Sequence, residues 1–386
     1  MNDGRMKILE MLQEGKITVE EADRLLKQFP GDDNEKNDFS GRLKGATGEI
    51  WEELKDVGCD IKEAFENIEE DIKEAFEDMD EDSHIKITLG NIFGREEKKY
   101  FSFQSSTVPE AINSLKLLGK NGHVKIEGYD GNVVKIEGEY RPKSGREVNV
   151  TFSEENNDFE ILYDYNAVRY MKICAQVPRV AISHLHGESS NSLVSMTDLD
   201  AANVVLMTKN APIKIKGVAA PHLQASTSNA PIDMQKVQAK SIDLVTSNAR
   251  IELEDVTAEE AKLKTSNGPI NIDATDIKQL FTKTSNGGIK LRDIIKKADA
   301  DDTGNEYAIE AHTTNSGIKI SLPQEVGYKI QASTSVGRVD SNISNFYFSD
   351  KEKDYLNGKS DGYENFKQKA KINLSTSNGS IKIEEQ

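Results

Sequence analysis

Two periodicities divide the chain. Over residues 4–29 apolar positions recur at helical spacing: Met6, Ile8, Leu9, Met11 and Leu12 share one face and Gly15 is a natural stop. Thr18-Val19-Glu20-Glu21 then makes a capping box ahead of a second stripe of Ala22, Leu25, Leu26 and Phe29. The pattern predicts a helical hairpin over residues 1–30. So short a hairpin buries too little surface to stand alone, so it docks on its own chain, on another copy or on another protein. A polar linker at 31–44 follows.

Helical spacing resumes over 45–82, with Ile61, Phe65, Ile68, Ile72, Phe76 and Met79 in one stripe. Asp60-Ile-Lys-Glu-Ala-Phe-Glu66 recurs letter for letter at 71–77, and an eleven-residue period keeps the stripe nearly straight. This predicts an amphipathic helix that self-associates, docks a partner, or lies solvated on the following domain.

From residue 84 to 386 the period becomes that of strands, first at Ile85, Ile87 and Leu89. A Thr-Ser-Asn-small-x-Ile unit then recurs every 19 residues: Thr227–Ile232, Thr246–Ile251, Thr265–Ile270 and Thr284–Ile289. Thr208–Ile213 and Ser189–Val194 keep the register, and looser copies begin at Thr313, Thr334 and Thr376, separated by insertions around 292–309 and 340–370. Leu199, Val218, Val237 and Val256 hold the same spacing, as do Val204, Leu223, Ile242, Ala261 and Leu280. A fixed short period in strand-like sequence is the mark of stacked coils. The fold class predicted for 84–386 is mainly β, a right-handed parallel β-helix or β-solenoid with 19-residue coils, rising by the ordinary strand spacing of about 4.8 Å per coil.

The same register aligns Asn191, Asn210, Asn229, Asn248, Asn267 and Asn286, beside small residues such as Ala230 and Gly268. Asparagine accepts left-handed backbone, and its amides can bond from coil to coil. A turn-building ladder is therefore expected in preference to a ligand site.

Charge changes the picture locally. The chain carries 49 Lys and Arg against 66 Asp and Glu, a net −17, which argues against nucleic acid as a partner. Residues 45–82 alone hold 16 acidic and 3 basic residues, −13 of that total. Anionic lipid would repel such a helix, whereas a cationic peptide would be attracted. No window suits a membrane span, and the N-terminal residues lack the apolar run of a secretory signal, which favours the cytoplasm. Cys59 and Cys174 have no metal or disulfide spacing.

Little in the chain points to chemistry. Asp233 and Glu252 should be neighbours about 5 Å apart on an outward column, the separation of a retaining glycosidase pair, but no aromatic sugar platform accompanies them. His184 and His186 share a strand face without an evident third metal ligand. The Thr and Ser columns suggest a flat hydroxyl array, interrupted by Lys209 and Arg250. No metal, cofactor or catalytic residue is assigned.

Two parts of the chain carry a resemblance. The segment Met6 to Leu26 resembles the helical hairpin of LiaX/YvlB-type bacterial proteins, and the Thr-Ser-Asn-Gly-x-Ile coils resemble the adhesin-like β-solenoid that follows it there. The resemblance implies a non-enzymatic cell-envelope stress protein of Gram-positive bacteria, linked to sensing of antimicrobial peptides and daptomycin, without catalytic residues. A carbohydrate-active or carbohydrate-binding β-helix and a plain adhesin or scaffold are the alternatives.

Overall fold

The computed structural model describes residues 98–106, 109–296 and 306–385. The expected helices at 1–30 and 45–82, with the stripe from Ile61 to Met79, lie outside the described residues.

The chain is mainly β, and the middle of the solenoid follows directly from the sequence period. Strands Ile213–Ser226, Ile232–Val245 and Ile251–Lys264 pair in parallel, each residue opposite its equivalent 19 positions on. Every coil therefore places Ile upon Ile: Ile213, Ile232, Ile251, Ile270 and Ile289 are at most 1% exposed. Leu223, Ile242, Ala261 and Leu280 form a second buried column and Val218, Val237 and Val256 a third. Along Ile213–Ser226 the alternation slips twice, because Lys216 and Gly217, then Pro221 and His222, are successive non-buried positions. Each slip turns the strand at a corner, so one coil folds around the core as three short runs.

The first corner is where the backbone is left-handed. Asp198, Gly217, Lys236, Asp255, Ala274 and Asp293 stand 19 residues apart with φ between 48° and 64°. The expectation placed left-handed backbone at the asparagine column, and that is corrected. None of those six asparagines has positive φ; only Asn121, at the foot of the ladder, does. A non-glycine residue in this region costs on the order of 1 kcal/mol. Here the register on either side holds each residue in place.

The threonines of the repeat also differ from expectation. Thr227, Thr246, Thr265 and Thr284 are buried. Their hydroxyls donate to the carbonyls of Ala211, Ala230, Ala249 and Gly268 in the coil before, at 3.0–3.3 Å. The Thr265 and Thr284 hydroxyls also accept the amides of Gly268 and Gly287. The threonine column thus ties turn to turn inside the core and forms no outward hydroxyl array. The glycines belong to the same close contact, for a Cβ on Gly268 would stand 1.8 Å from the Ala249 carbonyl oxygen.

At both ends chain order and stacking order part. Strand Asn121–Tyr129 pairs with Val194–Thr197 on one side and with Val168–Pro178 on the other. Ala111–Leu118 likewise lies between Ala181–Ser189 and Asp158–Leu162. At the other end Lys369–Thr376 lies between Glu306–His312 and Gly327–Thr334, and Ile381–Glu385 between Ile318–Leu322 and Val339–Asn342. The looser copy beginning at Thr334 is therefore stacked beyond the copy beginning at Thr376.

Antiparallel strands finish each end. Lys135–Pro142 and Lys99–Gln104 extend one side, and Thr151–Glu155 pairs with Asp158–Leu162. Tyr355–Ser360 and Phe346–Lys351 extend the opposite end, so much of the expected insertion at 340–370 is a capping hairpin. Among the described residues the only helical element is a 3-10 turn at Tyr363–Asn365.

Candidate functional site

The most continuous surface feature is the edge built by the repeated turns. Asn210, Asn229, Asn248, Asn267 and Asn286 each donate from Nδ2 to Oδ1 of the asparagine one coil before, at 2.5–2.6 Å. Asn191 donates to Asn121, Asn315 to Asn286 and Asn378 to Asn315, at 2.5–2.7 Å. The ladder thus has nine rungs and crosses both breaks in chain order. All nine asparagines are exposed. An amide has two N–H groups, and the ladder engages one, leaving a line of outward donors at the coil spacing.

The turn brings a residue before it and a residue after it to the two flanks of this edge. In the later coils the preceding positions are Lys264, Lys283 and His312, direct neighbours on successive strands. The following positions are Lys290, Lys319 and Lys382, also direct neighbours. Of the three, Lys319 and Lys382 share one counter-ion, Glu384, with Lys319 Nζ 2.7 Å away. Those lysines, Lys319 foremost, hold the Glu384 carboxyl below its ordinary value. Lys290 stacks on Lys319, and beyond Lys382 the same row ends at Asp340. Like charges opposite one another in a sheet cost stability.

The earlier coils differ. Asp233 and Glu252 are register partners, as expected of their spacing. Arg250 stands between them, Nη2 at 3.1 Å from Asp233 and Nε at 2.9 Å from Glu252. Each carboxylate is thus engaged by the same guanidinium, which leaves the pair poorly arranged for a nucleophile and acid on one sugar.

His184 and His186 lie on Ala181–Ser189, and His186 Nε2 is 3.4 Å from Glu188. Among the described residues no group of three His, Cys, Asp or Glu is placed to hold a metal ion. Cys174 is buried, and Cys59 lies outside the described residues. A shallow groove of about 1050 Å³ runs along the first corner, lined by small residues such as Gly217 and Ala219, with Arg179, Asp200 and Lys240 among its charged residues. Among the described residues no helix is long and apolar enough to cross a membrane.

The row after the turn is legible in the sequence as far as Lys290, and its continuation and the row before the turn were missed. The signal was available, since Lys264 and Lys283 are 19 apart. Lys319 and Lys382 fall out of period, and only the stacking order joins them to Lys290.

Comparison with known proteins gives two family matches. The Toastrack DUF4097 family matches residues 119–384, and a SHOCT-like domain matches residues 3–32. A search of curated proteins finds no match. Among solved structures, a "putative cell adhesion protein from Clostridium sporogenes" is 13% identical and covers 75% of this chain and all of its own, with a TM-score of 0.23. At that TM-score the likeness carries no argument.

Proposed function

The chain belongs to the Toastrack DUF4097 family, and from that premise we propose that it is a non-enzymatic binding protein of the cell-envelope stress response, of the LiaX/YvlB type. In this reading the N-terminal helices mediate self-association or partner docking, the acidic stretch at 45–82 attracts cationic antimicrobial peptides, and the solenoid is the rigid scaffold of a protein that senses or regulates the response to antimicrobial peptides and daptomycin. The protein works at the envelope, from the cytoplasmic side or the surface. The solenoid is right-handed, in keeping with the general handedness of parallel crossovers.

The observation that supports this most is the order of features on one chain. A SHOCT-like match at 3–32 precedes a segment of charge −13, and a Toastrack match at 119–384 follows. An acidic stretch beside a scaffold concentrates cations near a surface through the field it creates. The carbohydrate-active alternative is weakened by Arg250 between Asp233 and Glu252.

The test is binding of a labelled cationic antimicrobial peptide to the full chain across a salt series. The comparison is a variant with Asp60, Glu63, Glu66, Asp71, Glu74 and Glu77 changed to their amides. Tight binding that weakens with salt and falls at least tenfold in the variant supports the reading. Equal binding by both proteins, or by neither, rejects it.

A further inference from the structure

We infer that the later half of the asparagine edge is a docking track for a linear phosphate polymer. This goes beyond the peptide-binding reading and does not depend on the acidic stretch.

The edge offers two kinds of donor in one line. Asn267, Asn286, Asn315 and Asn378 each commit one amide N–H to the rung before, which leaves the second N–H directed away from the ladder. Exposed Ser266 and Ser285 stand next to them in the turn. On the flanks are Lys264, Lys283 and His312 on one side and Lys290, Lys319 and Lys382 on the other. Their spacing is that of neighbouring strands, about 4.8 Å.

Lys290, Lys319 and Lys382 stand in register on adjacent strands, with Asp340 beyond Lys382, and the stacking of Lys290 on Lys319 is a like-charge contact that a sheet does not itself favour. Glu384 meets Lys319 and Lys382, while Lys283 and Lys290 lie on either side of the Asn286 turn. A row of ammonium groups and neutral N–H donors, repeating along one straight axis, complements anionic groups repeating along one unbranched chain. Phosphate suits it because its oxygens accept from several donors at once while its charge meets the lysines as point charges. An isolated anion would use one rung and gain nothing from the repeat. A polymer spans several rungs and gains by multivalency.

The probe is inorganic polyphosphate, and binding to the full chain is measured by titration between about 50 and 200 mM salt. The track variant is Lys283→Glu, Lys290→Glu and Lys319→Glu together. Its control is Lys143→Glu, Lys240→Glu and Lys353→Glu, which changes net charge equally at exposed sites elsewhere.

The wild-type chain and the control are expected to bind, and the track variant to bind at least tenfold more weakly. The slope of log affinity against log salt should fall by about 2 in the track variant, by the counterion-release relation for a flexible polyanion. Orthophosphate at the same total phosphate should compete at least tenfold less well than the polymer. No binding by the wild type, equal loss in both variants, or equal competition by orthophosphate would each overturn the inference. So would tighter binding of single-stranded DNA than of polyphosphate. Circular dichroism shows whether each variant is folded, and unchanged binding of cationic peptide by the track variant separates this test from the preceding one.

Discussion

The middle of the solenoid and its two ends solve the same packing problem by different routes. In the middle, from Ala181 to Leu322, each coil rests on the one before it in sequence. At the ends the coil beginning at Ala111 is covered on its far side by residues from Asp158 to Pro178. The segment from Lys369 to Glu385 is held between two earlier coils. Yet the asparagine ladder passes through both regions, with the Asn191–Asn121 and Asn378–Asn315 bonds at 2.5 and 2.7 Å. The geometry of a coil is thus set by what lies above and below it, and the linking chain only has to reach. Antiparallel strands take several of the exposed positions at the ends of the stack, while Val339–Asn342 pairs with Ile381–Glu385 in parallel. Unpaired edges invite association.

If the inserted coil is as much a part of the core as the middle, equivalent substitutions should cost the same in both. Ile251→Ala and Ile381→Ala remove residues with no exposed surface, and each is expected to cost about 3 kcal/mol in urea unfolding. A cost below about 1 kcal/mol at Ile381 alone would make the last coil peripheral. Next in size is the threonine tie. Thr246→Val and Thr376→Val each strip a buried donor from a carbonyl, Ala230 in the middle and Ser316 at the end. Each should cost about 1 kcal/mol, and unequal losses would show that the end coils use the tie differently.

Two substitutions should stabilise. Ala274→Gly relieves a left-handed residue at the corner and is expected to raise stability by about 1 kcal/mol, whereas Asn267→Gly, at a rung without positive φ, should lower it. Thr275 occupies the position one period after Val256, and its buried hydroxyl has no partner. Thr275→Val should therefore gain up to about 1 kcal/mol. The smallest effect is on pH. Glu384 is held low by Lys319 and Lys382, so its contribution is present above its ordinary value of 4.5 and is lost as pH falls through the lowered folded-state value. Glu384→Gln should flatten that part of the acid stability profile slightly.

What could be read in the sequence follows from which interactions demand one residue type. Stacked isoleucines and stacked amides reward identity from coil to coil, so both columns were legible. The left-handed corner rewards only a backbone angle, and Asp198, Gly217, Lys236 and Ala274 meet it without a common side chain. The inward threonines were legible as a column, but not as buried, because a hydroxyl suits either side of a strand. Stacking order at the ends was hidden because a parallel strand carries no mark of which neighbour it will accept. With it was hidden the row Lys290, Lys319 and Lys382, whose members are 29 and 63 residues apart. The SHOCT-like match falls on the segment read as a helical hairpin.

Both ends also impose an order in time. At the first end Val168–Pro178 enters between Asn121–Tyr129 and Lys135–Pro142, two strands made before it. At the other, the strands at 327–342 have no partner in the coil at 306–322 and are joined to it through residues 369–385. The solenoid cannot be finished by addition alone. A gap one strand wide must be held open, or reopened, until the later segment is synthesised, and a ribosome that stops short of it leaves a fold with a vacant rung.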